Sequence, residues 1–378
     1  MNPIFDGNFG SLDVLVKQYF HPREFTKALV KKSNEAIWVQ GYSSEKVFSF
    51  TSGHLRTIES RPFTGGIENL MSKHISPESL TRVINEFNPD IIHIFGILPA
   101  DILTVAEVCN SRSIILSASF HGSNPAADYD YRSLQKQAME KISVLLINAP
   151  ERKAIWEEAN LISPTTRVSI CPETSSFFSR LDRAEARART GMSGDPICVA
   201  TSRLHPVKDP LTLLMGFENI LQMRPGARLY WVHQTNELID TVNDFLQKSD
   251  KLGNAVHLLG PMDFDEMENF YNSADFFLQA SHTEYGGNSL VEAMACGVIP
   301  VVTKIPSFQY LTGNNQFGTL FDISNSDELS QRVLDIPTEK YGEYSHAIRD
   351  YYDRNLSFDL IAERFILAIN SIVTGRPN

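Results

Sequence analysis

Short β-rich runs alternate with amphipathic helical stretches along almost the whole chain, and this rhythm constrains the fold more than any other feature. "AIWVQGY" (36–42), "DIIHIFG" (90–96), "SIILSASF" (113–120), "VLLINAP" (144–150) and "RVSICP" (167–172) read as strands. So do "PICVATS" (196–202), "RLYWVH" (228–233), "AVHLLG" (255–260), "DFFLQAS" (275–281) and "VIPVVT" (298–303). Between them lie helices such as "SPESLTRVINEF" (76–87), with Ser76 as N-cap and Pro77 at the first helical position. "DPLTLLMGFENILQM" (209–223) opens the same way, on Asp-Pro. Strands alternating with helices of about 10–15 residues imply βαβ units, parallel sheets and an α/β fold.

At 378 residues the chain is too long for one compact core and fits two domains. The rhythm restarts near residue 195, after the charged, sheet-poor stretch "SRLDRAEARARTGMSGD" (179–195). The expected organisation is a Rossmann-like domain over 1–178, a linker over 179–195, a second such domain over 196–355 and a terminal helix within 356–378. Two doubly wound domains facing one another leave a central cleft at the carboxyl ends of their strands, where ligands of this architecture bind.

Apolar residues make up 42% of the chain and charged residues 21%, the balance of a soluble globular protein. A net charge of −11 without a basic tail argues against a nucleic-acid partner. The four cysteines, Cys109, Cys171, Cys198 and Cys296, are scattered in or beside apolar runs and read as buried free thiols. They suggest neither zinc nor a disulfide framework. No signal-peptide pattern and no bilayer-length apolar run is visible, so a cytoplasmic protein is expected, with peripheral attachment to the inner membrane surface left open.

The stretch "HTEYGGNSLVEAMACGVIPVVT" (282–303) carries the chemistry. "SHTEYGG" leaves the carboxyl end of a strand, "NSLVEAMAC" forms a helix, and Gly297 stands where a left-handed C-cap is wanted. Gly286 and Gly287, followed by Asn288 and Ser289, place bare backbone amides at a helix N-terminus, where the dipole favours an anion. Asn288 and Glu292 share one helix face, about 6 Å apart along the axis. Glu284 lies across the glycines. Carboxylates accept hydrogen bonds from vicinal hydroxyls, so a diphosphate with a sugar at each end suits this arrangement. The bland alternative leaves Glu284 a solvated loop residue and Glu292 a surface charge. "ATSRLHPVKDP" (200–210) adds Arg203 and Lys208 at the same sheet edge. Two cations there can neutralise a diphosphate and the charge it gains as a leaving group.

Residues 196 to 325 resemble the donor-binding domain of family-4 retaining glycosyltransferases of the GT-B fold, the glycosyl transferases group 1. The resemblance rests on the E-x7-E motif "EYGGNSLVE" with "AMACG", on "SRLHPVKD", on "VHLLGPMDFDEMENFYNSADFFLQAS", and on "IPVVTKIPSFQYLTGNNQFGTLFD". It implies that Glu284 binds the transferred sugar, Glu292 the nucleotide ribose, and Arg203 and Lys208 the diphosphate, with Gly260–Met262 near the base. It also implies a metal-independent hexosyltransferase-like enzyme without a cofactor, whose donor is a nucleotide-diphosphate-sugar, a UDP-sugar foremost. The acceptor would be a glycan, lipid-linked molecule or protein in surface polysaccharide or glycoconjugate synthesis.

Over residues 1 to 175 the resemblance is weaker but in order. "NPDIIHIFG" (88–96), "SASFHGS" (117–123) and "RVSICPETSSFF" (167–178) occupy the family's places on the acceptor side. They imply that His121 touches the donor sugar; an ordinary polar loop residue is the alternative. His93, inside an apolar strand, reads as a hydrogen-bonded core residue. The family's glycine pair after the first strand is missing. "LDVLVKQYF" (12–20), read as the first strand, runs straight into "HPREFTKALVKK"; the alternative is a helix, since the same stretch also has helical spacing, in which case the glycines of "DGNFGS" (6–11) would precede it. This departure keeps open a nucleotide-sugar epimerase or hydrolase, or a catalytically weak binding subunit supporting a partner enzyme. "DYD" (128–130) resembles a metal motif of another glycosyltransferase fold and reads as a solvated loop; Gly65-Gly66 reads as a turn. "SFDLIAERFILAINSIV" (357–373) is amphipathic and is expected to pack back on the first domain.

Overall fold

A computed structural model describes residues 20–32, 35–43, 47–50, 53–60, 71–109, 112–120, 125–172, 174–234 and 237–374. His121, the glycines of 6–11, Gly65-Gly66 and all but the last residue of the stretch 12–20 lie outside the described residues. The chain divides into two compact units, Met1–Glu173 together with Phe358–Asn378, and Thr174–Ser357.

The first unit runs α1 (Phe20–Lys31), β1 (Ile37–Tyr42), β2 (Val47–Phe50), β3 (Gly53–Glu59), α2 (Pro77–Phe87), β4 (Ile91–Phe95), α3 (Pro99–Cys109), β5 (Ile115–Ser119), α4 (Tyr129–Met139), β6 (Val144–Ile147), α5 (Pro150–Glu158) and β7 (Arg167–Ile170). Strands β4 to β7 form a parallel sheet in chain order, and β1-β3-β2 a second sheet in which β2 is antiparallel. The cap signals act as the sequence predicts: Ser76 Oγ accepts from the Ser79 amide at 3.2 Å and Pro77 opens α2. Asp128 is a cap as well, accepting from the Tyr131 amide at 2.8 Å, so "DYD" opens α4 rather than lying in a loop. His93 is hydrogen-bonded as expected but half-buried rather than in the core, its Nδ1 3.0 Å from Ser117 Oγ among the rings of Phe25, Phe95 and Phe365.

The second unit continues α6 (Arg183–Thr190), β8 (Ile197–Thr201), α7 (Pro210–Met223), β9 (Arg228–Val232), α8 (Ile239–Gln247), α9 (Asp250–Ala255), β10 (Val256–Gly260), α10 (Phe264–Asn272), β11 (Phe276–Gln279), α11 (Asn288–Ala295), β12 (Ile299–Thr303), α12 (Pro306–Leu311), β13 (Thr319–Phe321), α13 (Ser326–Leu334) and α14 (Tyr341–Asn355). Its six strands are all parallel, in the order β10-β9-β8-β11-β12-β13. That is the Rossmann order, which reverses direction between β8 and β11 and opens a crevice beyond their carboxyl ends. Strands β11 and β12 are buried along their whole length, as a sheet covered on both faces requires.

The stretch 179–195, expected as a linker, belongs to this unit. Asp182 caps α6, and Arg183 and Arg187 reach the buried Asp275 at 2.7 and 2.9 Å. The last helix, α15 (Phe358–Val373), packs Ile361, Phe365 and Ile369 with Phe25, Phe95 and Leu146 of the first unit. No helix among the described residues is long and apolar enough to cross a membrane. All four cysteines are free and buried.

Candidate functional site

The reversal point of the second sheet positions the chemistry. The loop leaving β8 carries Arg203 and ends in a 3-10 turn, Pro206–Lys208; the loop leaving β11 carries Glu284. Lys208 Nζ and Glu284 Oε1 form an ion pair, with side chains only 12% and 13% exposed. The same Oε1 accepts from Gln279 Nε2 at 2.6 Å and from Ser281 Oγ at 2.8 Å. Three donors thus fix one carboxylate oxygen, while Oε2 makes no hydrogen bond among the described residues. A buried charge needs such compensation. Here the compensation also orients the carboxylate.

Immediately after Glu284 the chain turns through Gly286 and Gly287 into the eight-residue helix α11. Gly287 has φ +63°, and a Cβ there would come within 2.5 Å of Leu311 Cδ1, so backbone and packing both demand glycine. The amides of Gly286, Gly287, Asn288 and Ser289 donate to no other group among the described residues. Oriented donors at a helix N-terminus form a ready anion site. Asn288 is exposed and Ser289 half-buried at its opening. Gly297, with φ +72°, follows the helix in the left-handed conformation, as its sequence position predicts.

Glu292 lies one turn along α11 from Asn288. Its Oε2 accepts from Tyr271 Oη at 3.0 Å, and Tyr271 is fully buried. Burial pushes the Glu292 carboxyl up to about 7, against the hydrogen bond from Tyr271, which lowers it. The Tyr271 hydroxyl is pushed well up by burial and by Glu292 beside it. Glu292 is therefore a carboxyl that changes charge near neutrality.

Arg203 is exposed, and its guanidinium makes no hydrogen bond among the described residues. Gly260 ends β10 with φ +69°, its carbonyl accepting from the His233 amide at 3.0 Å. Met262 packs partly against the core. Both lie at the carboxyl end of β10, on the same sheet edge as Lys208 and Glu284 but two strands from β8. The structure thus joins Lys208 to Glu284 directly and sets Arg203, Gly260 and Met262 along the edge without a bond to either. Sequence reasoning missed Gln279, Ser281 and Tyr271, which hold the two glutamates. Gln279 was findable as a polar residue closing an otherwise apolar strand.

Residues 182–354 match the family model described as "Glycosyl transferases group 1". The match covers most of the second unit. A D-inositol 3-phosphate glycosyltransferase of Segniliparus rotundus is 28% identical over 149 residues, 39% of this chain and 33% of that protein. The chain spans about a third to a half of the length of the curated relatives it matches. Among solved structures, sucrose-phosphate synthase from Thermosynechococcus elongatus superposes with a TM-score of 0.70 at 17% identity, covering 97% of this chain and 94% of that one. Anabaena HepE in complex with UDP and glucose gives 0.60 at 17% identity, covering 84% and 86%. The fold of the chain is GT-B, with two Rossmann-like domains.

Proposed function

We propose that this protein is a retaining glycosyltransferase that moves a sugar from a nucleotide-diphosphate-sugar to a hydroxyl acceptor, without a metal ion. The observation that carries the reading is the Lys208–Glu284 pair at the sheet reversal, beside the amides of Gly286–Ser289 that donate to no described group.

The diphosphate would lie against those amides, with Arg203 and Lys208 supplying positive charge. An ammonium has three donors, so Lys208 can keep Glu284 and still reach a phosphate oxygen. Glu284 Oε2 would accept from a hydroxyl of the transferred sugar, and Glu292 from the ribose diol. The acceptor oxygen attacks the anomeric carbon on the face from which the diphosphate leaves. The carbon–oxygen bond to the β-phosphate breaks, and the leaving phosphate takes the acceptor's proton. Amides and cations aimed at the growing charge stabilise this step because they need no reorganisation. Gly260 and Met262 would flank the base. A UDP-sugar is the donor proposed; glycans, lipid-linked molecules and proteins are the acceptor classes.

Calorimetry with UDP, GDP and their sugar conjugates tests donor binding, and product analysis with and without an acceptor extract tests transfer. Binding with acceptor-dependent release of nucleoside diphosphate is expected. Complete donor turnover without acceptor would instead favour an epimerase or hydrolase, and binding without any turnover a supporting subunit.

A further inference from the structure

His282 holds the chain on both sides of Lys208. Its backbone amide donates to the Val207 carbonyl at 2.8 Å, and its Nε2 lies 2.9 Å from Asp209 Oδ2. Val207 and Asp209 are the two neighbours of Lys208, and His282 is itself two residues before Glu284. One residue therefore bridges the loop leaving β8 to the loop leaving β11 at the point where the ion pair forms. Its own position is fixed from the sheet side, since Thr303 Oγ1 of β12 donates to the carbonyl of the adjacent Ser281 at 2.5 Å.

Asp209 is built to receive this bond. It caps α7 through Oδ1, 3.2 Å from the Thr212 amide, while Oδ2 accepts from Thr212 Oγ1 at 2.8 Å and Ser324 Oγ at 3.0 Å as well as from His282. Burial pushes the Asp209 carboxyl up, but these hydrogen bonds together hold it below its ordinary value, so an anion faces the imidazole. Asp209 also stands in the left-handed region at φ +46°, a conformation that costs free energy unless the surroundings impose it. The neutral imidazole can serve as donor through Nε2–H, so the bridge does not depend on protonation. Its acceptor is charged, which places it among the stronger hydrogen bonds.

We propose that the His282–Asp209 bridge is a latch between the two loops, and that His282 is a positioning residue that keeps Lys208 aligned with Glu284 and the helix N-terminus. The backbone bond to Val207 sets the distance between the loops; the imidazole sets the twist of the segment from which the Lys208 side chain departs. The consequence for diphosphate binding rests on the glycosyl-transfer reading above, whereas the latch itself rests on geometry alone.

Lys208 supplies the test. Amine-reactive labelling followed by mass spectrometry measures its accessibility on the whole chain, without any ligand. In the parent protein Lys208, 12% exposed and ion-paired, is expected to label slowly. His282→Ala is expected to speed its labelling about tenfold, the factor that corresponds to one lost hydrogen bond to a charged group. His282→Gln, whose amide can reach the same carboxylate oxygen, is expected to restore slow labelling. Exposed lysines such as Lys31 serve as internal controls, and circular dichroism reports that each variant is folded. Unchanged Lys208 labelling in folded His282→Ala, or fast labelling in His282→Gln equal to that of the alanine variant, would overturn the latch. UDP titration of the same samples separates the two claims. Faster labelling with about tenfold weaker UDP binding supports both. Faster labelling with no UDP or GDP binding by any variant, the parent included, leaves the latch standing and removes the glycosyl-transfer reading.

Discussion

Lys208 and Glu284, 76 residues apart in sequence, are bound to each other at the reversal point of a parallel sheet. Each is nearly enclosed, so removing either partner leaves a poorly solvated charge alone. Lys208→Ala and Glu284→Ala are each expected to lower transfer at least about 100-fold, as loss of a preorganised electrostatic contact does. Each should also lower thermal stability while keeping the far-ultraviolet spectrum. The double variant should recover part of the stability but none of the activity. A double-mutant cycle in urea, run beside donor-turnover assays, reads both; full activity in either single variant would refute the assignment.

Glu292 makes the site sensitive to pH near neutrality. Its folded-state value is raised from 4.5 to about 7, so the folded protein holds a proton that the unfolded chain has released. Stability therefore falls as pH rises between those two values, because the native state binds more protons across that window. Glu292→Gln is expected to match the parent near pH 4.5 and to exceed it at pH 8 by on the order of 3 kcal/mol, read from denaturant midpoints. Donor binding should move the opposite way. A carboxylate accepts from a ribose diol better than a carboxylic acid, so parent affinity should rise through pH 7 and the glutamine variant should lose that rise.

Gly287→Ala tests the turn that aims the amides. A methyl group at φ +63° and 2.5 Å from Leu311 Cδ1 forces the helix start or Leu311 to shift. A loss of about 1–3 kcal/mol is expected, accompanied by weaker binding of UDP in calorimetry. Relieving the clash with Leu311→Ala in the same chain should return less than the whole loss, since the backbone conformation remains strained.

Asp275 ties the stretch 179–195 to the sheet. It takes Arg183 and Arg187 on separate oxygens and also accepts from the Ile197 amide at 2.8 Å. Burial lowers the Arg183 value, against the opposing pull of Asp275, as expected of a cation held inside by its partner. Asp275→Ala should cost about 3–5 kcal/mol by urea unfolding, since it strands two arginines and a buried amide. Arg183→Ala alone should cost less, because Arg187 remains.

The ten strands read from apolar runs all exist; β6, β11 and β12, buried along their whole length, have a composition that few other elements share. β2 is a mostly apolar four-residue run that sequence reasoning passed over, β3 mixes polar and apolar residues, and β13 is three residues long. The stretch 179–195 looks like a linker because its charges are conspicuous, yet two of its arginines face a buried aspartate that only the folded sheet brings near. At the site, the motif placed Glu284, the glycines and Glu292 on a strand–turn–helix, since local chain geometry fixes those positions. It could not show that Lys208 grips Glu284, that Tyr271 holds Glu292 or that His282 reaches Asp209.

What the sequence by itself determined is therefore the rhythm of elements, the caps and the turn that bares the amides, all governed by interactions within a few residues. Tertiary structure alone decided which charges meet and which carboxyl titrates near neutrality. Those outcomes depend on strand order, which brings loops after β8 and β11 together, and on burial, which no local pattern measures.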